Sequence, residues 1–276
     1  MKVIVIGGAG FIGSNLIPEL LNNGHDVLSI DNYLTGSEKN HCFGADYIYG
    51  CASTLPYINY KADIVFHLGE YSRVEQSDIE PWICLKNTYK TLPSVLEYCA
   101  INKSKLIYSG SSTKFSDVSN PYIVSKQLNT ILVKSICEQY GIEYAITYFY
   151  NVYGKNEIGT GLYATVVAKF LIAKKQGSRV MLTGTGEQRR NFTHIDDIVD
   201  GLIIVANKGY GDDYGIGAEN SYSIKELADI IGLQYGYEPD KPSNRKESIL
   251  VTKKTNELGW KACRDLKEYV EKKMAG

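Results

Sequence analysis

Residues 7–13 read GGAGFIG and directly follow the short apolar run VIVI at Val3–Ile6. Such a run is typical of a strand that is buried on both faces. Apolar residues then recur at helical spacing from Ile12 to Leu21, and Val27–Ile30 forms a second apolar run. The order is therefore strand, helix, strand. Glycines between a strand and a helix suit a pyrophosphate, because the free N–H groups and the dipole of a helix start favour an anion.

The glycines and the residue that ends the second strand together indicate a dinucleotide site. Gly7 permits a tight turn, Gly10 leaves room for phosphates, and Gly13 lets the helix pack close to the sheet. Asp31 follows about 20 residues later, where a carboxylate accepts hydrogen bonds from the adenosine ribose and repels a 2′-phosphate. The sequence therefore predicts NAD, rather than NADP, as the cofactor.

The alternation of strands and helices continues beyond this unit. Further strands are expected at Ile64–Leu68, Leu106–Tyr108 and Tyr144–Tyr148. Further helices are expected at Trp82–Cys99, Tyr122–Tyr140, Asp196–Ala206 and Ile224–Leu233. This order predicts an α/β fold with a Rossmann-type, doubly wound parallel sheet. We expect an NAD-binding domain at residues 1–154, which later segments rejoin, and a smaller α/β substrate lobe formed mainly by residues 155–276.

Composition narrows the class of protein. The net charge of the 276 residues is −1, so nothing in the total indicates nucleic acid or an anionic membrane as a partner. The six cysteines form no CxxC pair, and no metal site is predicted. No apolar run approaches the roughly 20 residues that span a bilayer, and no signal peptide precedes the first strand. We expect a cytoplasmic protein.

A second motif predicts acid–base chemistry. Asn120 and Pro121 are typical of a helix start, and Tyr122 and Lys126 lie four residues apart on one face of the helix that follows. A lysine ammonium and a positive nicotinamide both favour the phenolate form of a tyrosine, which can take a proton from a sugar hydroxyl. The hydroxyl-rich run SGSST at Ser109–Thr113 precedes this helix and could reach the same substrate oxygen.

With these motifs, the chain resembles the nucleotide-sugar epimerase/dehydratase family of extended short-chain dehydrogenases/reductases, and within it the UDP-glucose/UDP-N-acetylglucosamine 4-epimerases most. The resemblance covers essentially the whole length. Its marks are GGAGFIG, DNYLTGS at Asp31–Ser37, HLGEYSRVEQS at His67–Ser77, SGSST, YIVSK at Tyr122–Lys126, YFYNVYG at Tyr148–Gly154, GTGEQRRNFTHIDDIVDG at Gly184–Gly201 and LGW at Leu258–Trp260.

The resemblance implies roles for individual positions. Ser111 matches the hydroxyl residue that bonds the reacting sugar oxygen, so the expected catalytic residues are Tyr122, Lys126 and Ser111. The residues implied to contact NAD are Gly7, Gly10, Phe11, Ile12, Gly13, Asp31, Asn32, Leu68, Gly69, Asn87, Ser109, Tyr122 and Lys126. The residues implied to contact a nucleotide-activated sugar are Ser111, Ser112, Asn151, Thr165, Arg190 and Arg245. The two arginines suit a diphosphate, because a guanidinium binds phosphate oxygens in pairs.

Departures from the family pattern bear on the reaction. Ser112 and Thr113 stand where 4,6-dehydratases of the family place Asp-Glu, and the glutamate of the UDP-glucuronate decarboxylases is missing from this strand end. Epimerisation at C4 needs only the tyrosine, the serine and NAD, so it is favoured. Two alternatives remain at this point: a dehydrogenase or 4-keto reductase of a nucleotide sugar, and a non-catalytic NAD-binding regulator.

Three further departures lie elsewhere. Lys114 replaces an apolar residue, Tyr148 stands where an arginine is usual, and Cys51 stands where an aspartate usually contacts adenine. The resemblance also implies a homodimer. The helices near Trp82–Cys99 and Tyr122–Tyr140 would form a four-helix interface, with an apolar seam that includes Ile131, Leu132 and Ile136.

Overall fold

A parallel sheet of seven strands forms the centre of the computed structural model, which describes residues 1–115, 119–240 and 249–275. The strands of the described residues are, in chain order, β1 Lys2–Ile6, β2 Asp26–Asp31, β3 Asp46–Tyr49, β4 Ile64–His67, β5 Lys105–Ser109, β6 Tyr144–Phe149, β7 Val152–Tyr153, β8 Val180–Thr183, β9 Arg189–Arg190, β10 Thr193–His194, β11 Gly211–Ile216, β12 Tyr222–Ser223 and β13 Tyr235–Glu238. The large sheet has the order β11-β6-β5-β4-β1-β2-β3. The predicted Rossmann-type fold is confirmed, and its strand order reverses between β1 and β4, where ligands bind in such sheets.

Helices cover both faces of the sheet. They are α1 Gly13–Asn22, α2 Val74–Ile79, α3 Pro81–Thr88, α4 Leu92–Asn102, α5 Pro121–Tyr140, α6 Val166–Lys175, α7 Ile195–Lys208, α8 Ile224–Ile231, α9 Lys253–Glu257 and α10 Leu266–Ala275. Ile4 and Ile6 pack with α4 and α5, whereas Val3 and Val5 pack with α1 and α7. Because both faces are buried, the strands read as continuous apolar runs.

A smaller lobe forms beside the carboxyl end of the sheet. Strands β8 and β13 pair in parallel, and β9 pairs with β12. Side chains of α6, α8 and α10 pack here in a separate apolar cluster that includes Phe170, Leu227 and Val270. The lobe is not continuous in sequence. After β10 the chain returns to the large sheet through α7 and β11, and it re-enters the lobe at β12. Within the described residues, no helix is both long and apolar enough to cross a bilayer.

The prediction of a single helix at Trp82–Cys99 was wrong. The structure has two helices, α3 and α4, and the chain leaves the helical ladder between Thr88 and Leu92. Pro93 lies in the first turn of α4. A proline inside a helix lacks the N–H for the ladder, and its ring clashes with the carbonyl four residues earlier, so the helix must restart there.

The start of α5 holds the predicted tyrosine in place. The side chain of Asn120 accepts a hydrogen bond from Ile123 N–H at 2.9 Å and so caps the helix, as predicted. Its amide nitrogen donates to the Val74 carbonyl at 2.8 Å and to the Ser77 hydroxyl at 2.9 Å. One buried side chain therefore joins α5 to α2 and fixes the turn that carries Tyr122.

We expect Asn120→Ala to lower the free energy of unfolding by about 1–3 kcal/mol, because it removes a helix cap and leaves buried partners without their donor. Urea denaturation of the purified protein measures this loss. Asn23→Ala is the matched control, because its exposed amide bonds the Glu19 carbonyl within one helix. Equal losses in the two variants would contradict the linking role of Asn120.

Candidate active site

A cavity of about 810 Å³ opens where the sheet order reverses, between the carboxyl ends of the strands and the lobe. Most of the residues predicted from the sequence line it: Gly7, Gly10, Phe11, Ile12, Gly13, Asp31, Asn32, Leu68, Gly69, Asn87, Ser111, Ser112, Tyr122, Asn151, Thr165 and Arg190. Ser109 and Lys126 are buried and bond each other. Arg245 lies outside the described residues. The fold therefore brings residues from both halves of the chain to one cavity.

The glycine turn fits a dinucleotide pyrophosphate. A Cβ atom on Gly7 would lie 2.6 Å from Gly69 Cα, and one on Gly13 would lie 2.3 Å from the Gly7 carbonyl oxygen, so both positions exclude a side chain. A Cβ on Gly10 would meet only the Gly7 oxygen, at 3.2 Å, and would otherwise project into free space. Helix α1 begins here without a side-chain cap at Ile12. The turn thus offers a helix start and a side-chain-free cradle to an anion.

Asp31 lines the cavity, and its carboxylate also accepts two hydrogen bonds from the backbone. Its carboxylate accepts hydrogen bonds from Ala9 N–H at 2.9 Å and Tyr33 N–H at 2.8 Å. These bonds join the glycine turn to the end of β2. Next to it, the Asn32 amide donates to the Asn87 side-chain oxygen at 3.1 Å. The residues expected around the two halves of NAD therefore form one connected wall.

Tyr122 and Ser111 are in direct contact. The Tyr122 hydroxyl donates to Ser111 Oγ over 3.2 Å, and both residues are buried at the cavity wall. The Thr113 hydroxyl lies 2.8 Å from Ser111 Oγ, and Thr113 N–H donates to the same oxygen. Ser111 is therefore held between a phenol that can exchange a proton and a threonine that orients it.

Lys126 has an ionic partner that the sequence reasoning missed. Its ammonium donates to the Ser109 carbonyl at 2.8 Å, and it lies 2.6 Å from Glu70 Oε2. The Glu70 side chain is only 1% exposed. The sequence does place an acidic residue, Glu70, three positions after the end of β4, at the edge of the sheet where the cavity lies. Its partner Lys126 lies on α5, so the pairing could not be predicted from neighbours along the chain.

Several groups surround the Glu70 carboxylate. Tyr108 donates to it at 2.9 Å and Asn129 at 3.1 Å, and His67 Nε2 lies 3.2 Å from Oε1. Burial raises the pKa of the Glu70 carboxyl, but the charge of Lys126 and the nearby His67 lower it more, so the net pKa is about 2. Glu70 is therefore an ionised carboxylate inside the protein.

One end of the cavity is closed by contacts between the segment after β4 and the loop before α6. Tyr71 donates to Glu80 at 2.9 Å, and Tyr163 bonds the same carboxylate oxygen. The Arg73 guanidinium donates from Nε to the Tyr163 carbonyl at 3.0 Å. These residues fix the segment after β4 against the loop before α6, and their packing limits the volume of the cavity at this end.

Together, the doubly wound sheet, the glycine cradle and the Tyr122–Ser111 pair with Lys126 one turn away define a nicotinamide-dependent enzyme of the short-chain dehydrogenase/reductase class. Residues 3–217 match the model of the NAD-dependent epimerase/dehydratase family, and the chain belongs to that family. The prediction of NAD as the cofactor is confirmed at the level of the family.

Known relatives carry out different reactions on nucleotide sugars. The chain is 27% identical to a UDP-N-acetyl-alpha-D-glucosaminuronate decarboxylase of Bacillus cytotoxicus, over 83% of this chain and 79% of that protein. It is 29% identical to a dTDP-D-glucose 4,6-dehydratase of Bos taurus, over 98% and 87%. Among solved structures, UDP-glucose 4-epimerase of Thermotoga maritima with UDP-glucose superposes with a TM-score of 0.92 at 26% identity, over 98% and 96% of the two chains.

The ionised state of Glu70 predicts a pH-dependent contribution to stability. Its folded-state pKa of about 2 lies below the usual 4.5, so the stabilisation is complete above about pH 4.5 and is lost as the pH falls toward 2. We expect Glu70→Gln to lower the free energy of unfolding by about 3 kcal/mol near pH 7, and by less at each step toward acid. Denaturation curves measured from neutral pH downward test this.

Glu19→Gln on the exposed face of α1 is the control, and it should show no such trend. A Glu70→Gln deficit that stayed constant from neutral to acid pH would mean that shape, not charge, accounts for the loss.

Proposed function

We propose that the protein is an NAD-dependent 4-epimerase of a nucleotide-activated sugar, with a UDP-sugar as the favoured substrate. The observation that carries the proposal is the contact of the Tyr122 hydroxyl with Ser111 Oγ at the wall of the same cavity as the glycine cradle. A phenol and a serine hydroxyl are the groups needed to move a proton at one sugar oxygen. Neither is a carboxylic acid of the kind that promotes the loss of water.

The chain's own residues would work as follows. NAD, when bound, supplies a reversible hydride acceptor for C4 of the sugar. Tyr122 takes the proton from the O4 hydroxyl, and Ser111 bonds the same oxygen and holds it toward the phenol. Lys126 follows one helical turn after Tyr122, and its ammonium is held by the Ser109 carbonyl and Glu70. After the keto sugar has turned in the cavity, C4 would regain the hydride on its opposite face while Tyr122 returns the proton to the same oxygen, and the other C4 epimer leaves.

The residues next to Ser111 argue against the reactions of the other relatives. Ser112 and Thr113 carry no acid for elimination, and Thr113 is already turned toward Ser111. Glu157, a carboxylate of the cavity wall, bonds the Thr165 hydroxyl and accepts Gly154 N–H. The Glu70 side chain is only 1% exposed, and its carboxylate is already paired with Lys126. These contacts support a site that oxidises and reduces C4 without a further bond cleavage.

The nucleotide end of the substrate is proposed to lie on the lobe side of the cavity. Asn151, Thr165 and Arg190 line that side, and a guanidinium there suits a diphosphate. Arg190 is anchored by a hydrogen bond from Nη1 to the Arg189 carbonyl at 2.8 Å. The solved relative from Thermotoga maritima contains UDP-glucose, which supports a UDP-sugar as the first substrate to try.

We also propose a cytoplasmic location. The described residues contain no helix able to span a bilayer. Cys42, Cys51, Cys84, Cys99, Cys137 and Cys263 are all free thiols. Free thiols of this number suit a reducing compartment.

The product distinguishes the epimerase from its alternatives. With a panel of UDP-, dTDP-, GDP- and CDP-sugars, we expect proton NMR to show conversion of one sugar to its C4 epimer, without added NAD and without net NADH. Stoichiometric NADH with a keto or acid product would instead establish a dehydrogenase. NAD binding without conversion of any sugar would support a regulator.

Tyr122→Phe should reduce turnover by at least about 10²–10⁴-fold, because the ring stays in place but the proton-exchanging group is lost. Turnover is measured with the sugar identified by the panel, and circular dichroism and NAD binding verify the fold. Tyr71→Phe is the control, because it removes a hydroxyl from the same cavity wall that bonds Glu80 rather than Ser111. Turnover of Tyr122→Phe within a few-fold of wild type would exclude the tyrosine as the acid–base group.

The outer faces of α3 and α5 support the proposal of a homodimer. Trp82 is 74% exposed, Leu128 48% and Ile131 63%, although all three are apolar. Leu132 and Ile136, by contrast, pack partly against the core beneath α5. Exposed apolar side chains on two helices that pack together are typical of a protein interface.

We expect light scattering at micromolar concentration to give the mass of a dimer. Ile131→Glu should shift it to a monomer, because a carboxylate in an apolar seam loses its hydration without gaining a partner. Met181→Glu, a change on an exposed lobe strand, is the control. A monomeric wild type would overturn the homodimer.

A further inference from the structure

We propose that Glu70 is a positioning residue of the reaction centre: its buried carboxylate is the counter-ion that keeps Lys126 charged and fixed one helical turn after Tyr122. The assignment of Lys126 to the reaction rests on the proposed function. The counter-ion role of Glu70 rests on contacts of the described residues alone.

The argument begins with the burial of the ammonium. Lys126 is 5% exposed, and its Nζ lies between the Ser109 carbonyl and Glu70 Oε2. A buried amine without a counter-ion favours its neutral form, because the charged form loses its hydration. The Ser109 carbonyl is a dipole and cannot balance a full charge. The carboxylate at 2.6 Å can, so Glu70 supplies the balancing charge.

The second step is the rigidity of the carboxylate. Oε2 bonds Tyr108 as well as Lys126, and Oε1 bonds Asn129 and lies close to His67. These partners come from β4, β5 and α5, so the carboxylate cannot turn without breaking contacts to three elements of the large domain. The ammonium is therefore fixed as well. Its bonds to Ser109 and Glu70 use two N–H groups and leave the third for the NAD contact that the family resemblance implies for Lys126.

The third step is the direction of the pH effect. The titratable and charged groups around the pair are His67, Cys84, Tyr108, Tyr122 and, beyond Tyr122, Arg73. Burial raises the pKa of the Cys84 thiol, and burial with the charge of Glu70 raises the pKa of Tyr108 well above its usual value, so both stay neutral. Without the Glu70 charge, the amine itself becomes the group that loses a proton as the pH rises. Function should then fall at the alkaline end.

The first test measures NAD binding and needs no sugar. Calorimetric titration of the wild type with NAD should give nearly constant affinity from about pH 7 to about pH 9.5, which lies above the range of an ordinary imidazole. The affinity of Glu70→Gln should fall with rising pH over this range by about tenfold, the worth of one charge-assisted hydrogen bond. A pH dependence of Glu70→Gln identical to that of the wild type would overturn the proposal.

The second test measures turnover. The kcat of Glu70→Gln should gain a falling alkaline limb that the wild type lacks, with little change in the KM for the sugar. Tyr108→Phe is the matched control, because it removes a hydrogen bond to the same carboxylate oxygen but keeps the charge. It should lower stability without adding the alkaline limb. The same limb in Tyr108→Phe would mean that packing, not charge, holds Lys126, and would overturn the proposal.

The proposal can still be tested if the wild type is inactive on every sugar or if Glu70→Gln does not fold. If the wild type converts no nucleotide sugar, the proposed function fails, but the NAD titration still tests Glu70. If Glu70→Gln does not fold, Glu70→Asp takes its place. Aspartate keeps the negative charge, but its side chain is one methylene shorter, so the carboxylate lies farther from Lys126. The NAD affinity of this variant should then be lower by several-fold at every pH, without a trend. Affinity and kcat equal to wild type in Glu70→Asp would overturn the positioning role.

Discussion

The site depends on the contact between two glycine backbones at the switch point of the sheet. Gly7, after β1, and Gly69, after β4, lie so close that a Cβ on Gly7 would be 2.6 Å from Gly69 Cα, and a Cβ on Gly69 would be 2.9 Å from Gly7 N. Neither position can hold a side chain. This approach places the glycine turn directly against the segment that leaves β4, and it thereby sets where the next residue, Glu70, enters the interior beneath α5.

The buried ion pair follows from this geometry, and its effect on stability depends on what it is compared with. Replacing a buried pair by apolar side chains is often neutral or stabilising, because desolvation of two charges offsets most of their attraction. The Glu70–Lys126 pair therefore stabilises the fold little more than an apolar pair would, although breaking it by Glu70→Gln is costly. Its value lies in fixing one amine relative to Tyr122, and three structural elements each contribute a contact to hold it.

The sequence predicted what depends on neighbours along the chain, and it did not predict what depends on contacts across the fold. GGAGFIG and the pair Tyr122 and Lys126 form within single turns, so their spacing alone indicated their positions. The break between α3 and α4 was missed because Pro93 stands inside an otherwise helical apolar pattern. Glu70 was missed because its meaning comes from Lys126, which lies far away in the sequence but 2.6 Å away in space.

Two departures from the family pattern prove to be parts of one contact. Lys114 lies 2.7 Å from Asp212 on β11, and Tyr148 donates to the other oxygen of that carboxylate at 2.6 Å. The Lys114 ammonium also lies 4.8 Å from the centre of the Tyr148 ring. In the sequence, Ser111 lies between two held residues. Lys114 is held by Asp212, and the Ser109 carbonyl at the end of β5 accepts a hydrogen bond from the Lys126 ammonium. Since the segment that carries Ser111 is restrained on both sides, the unusual residues change how this segment is anchored and leave Tyr122 and Ser111 in contact.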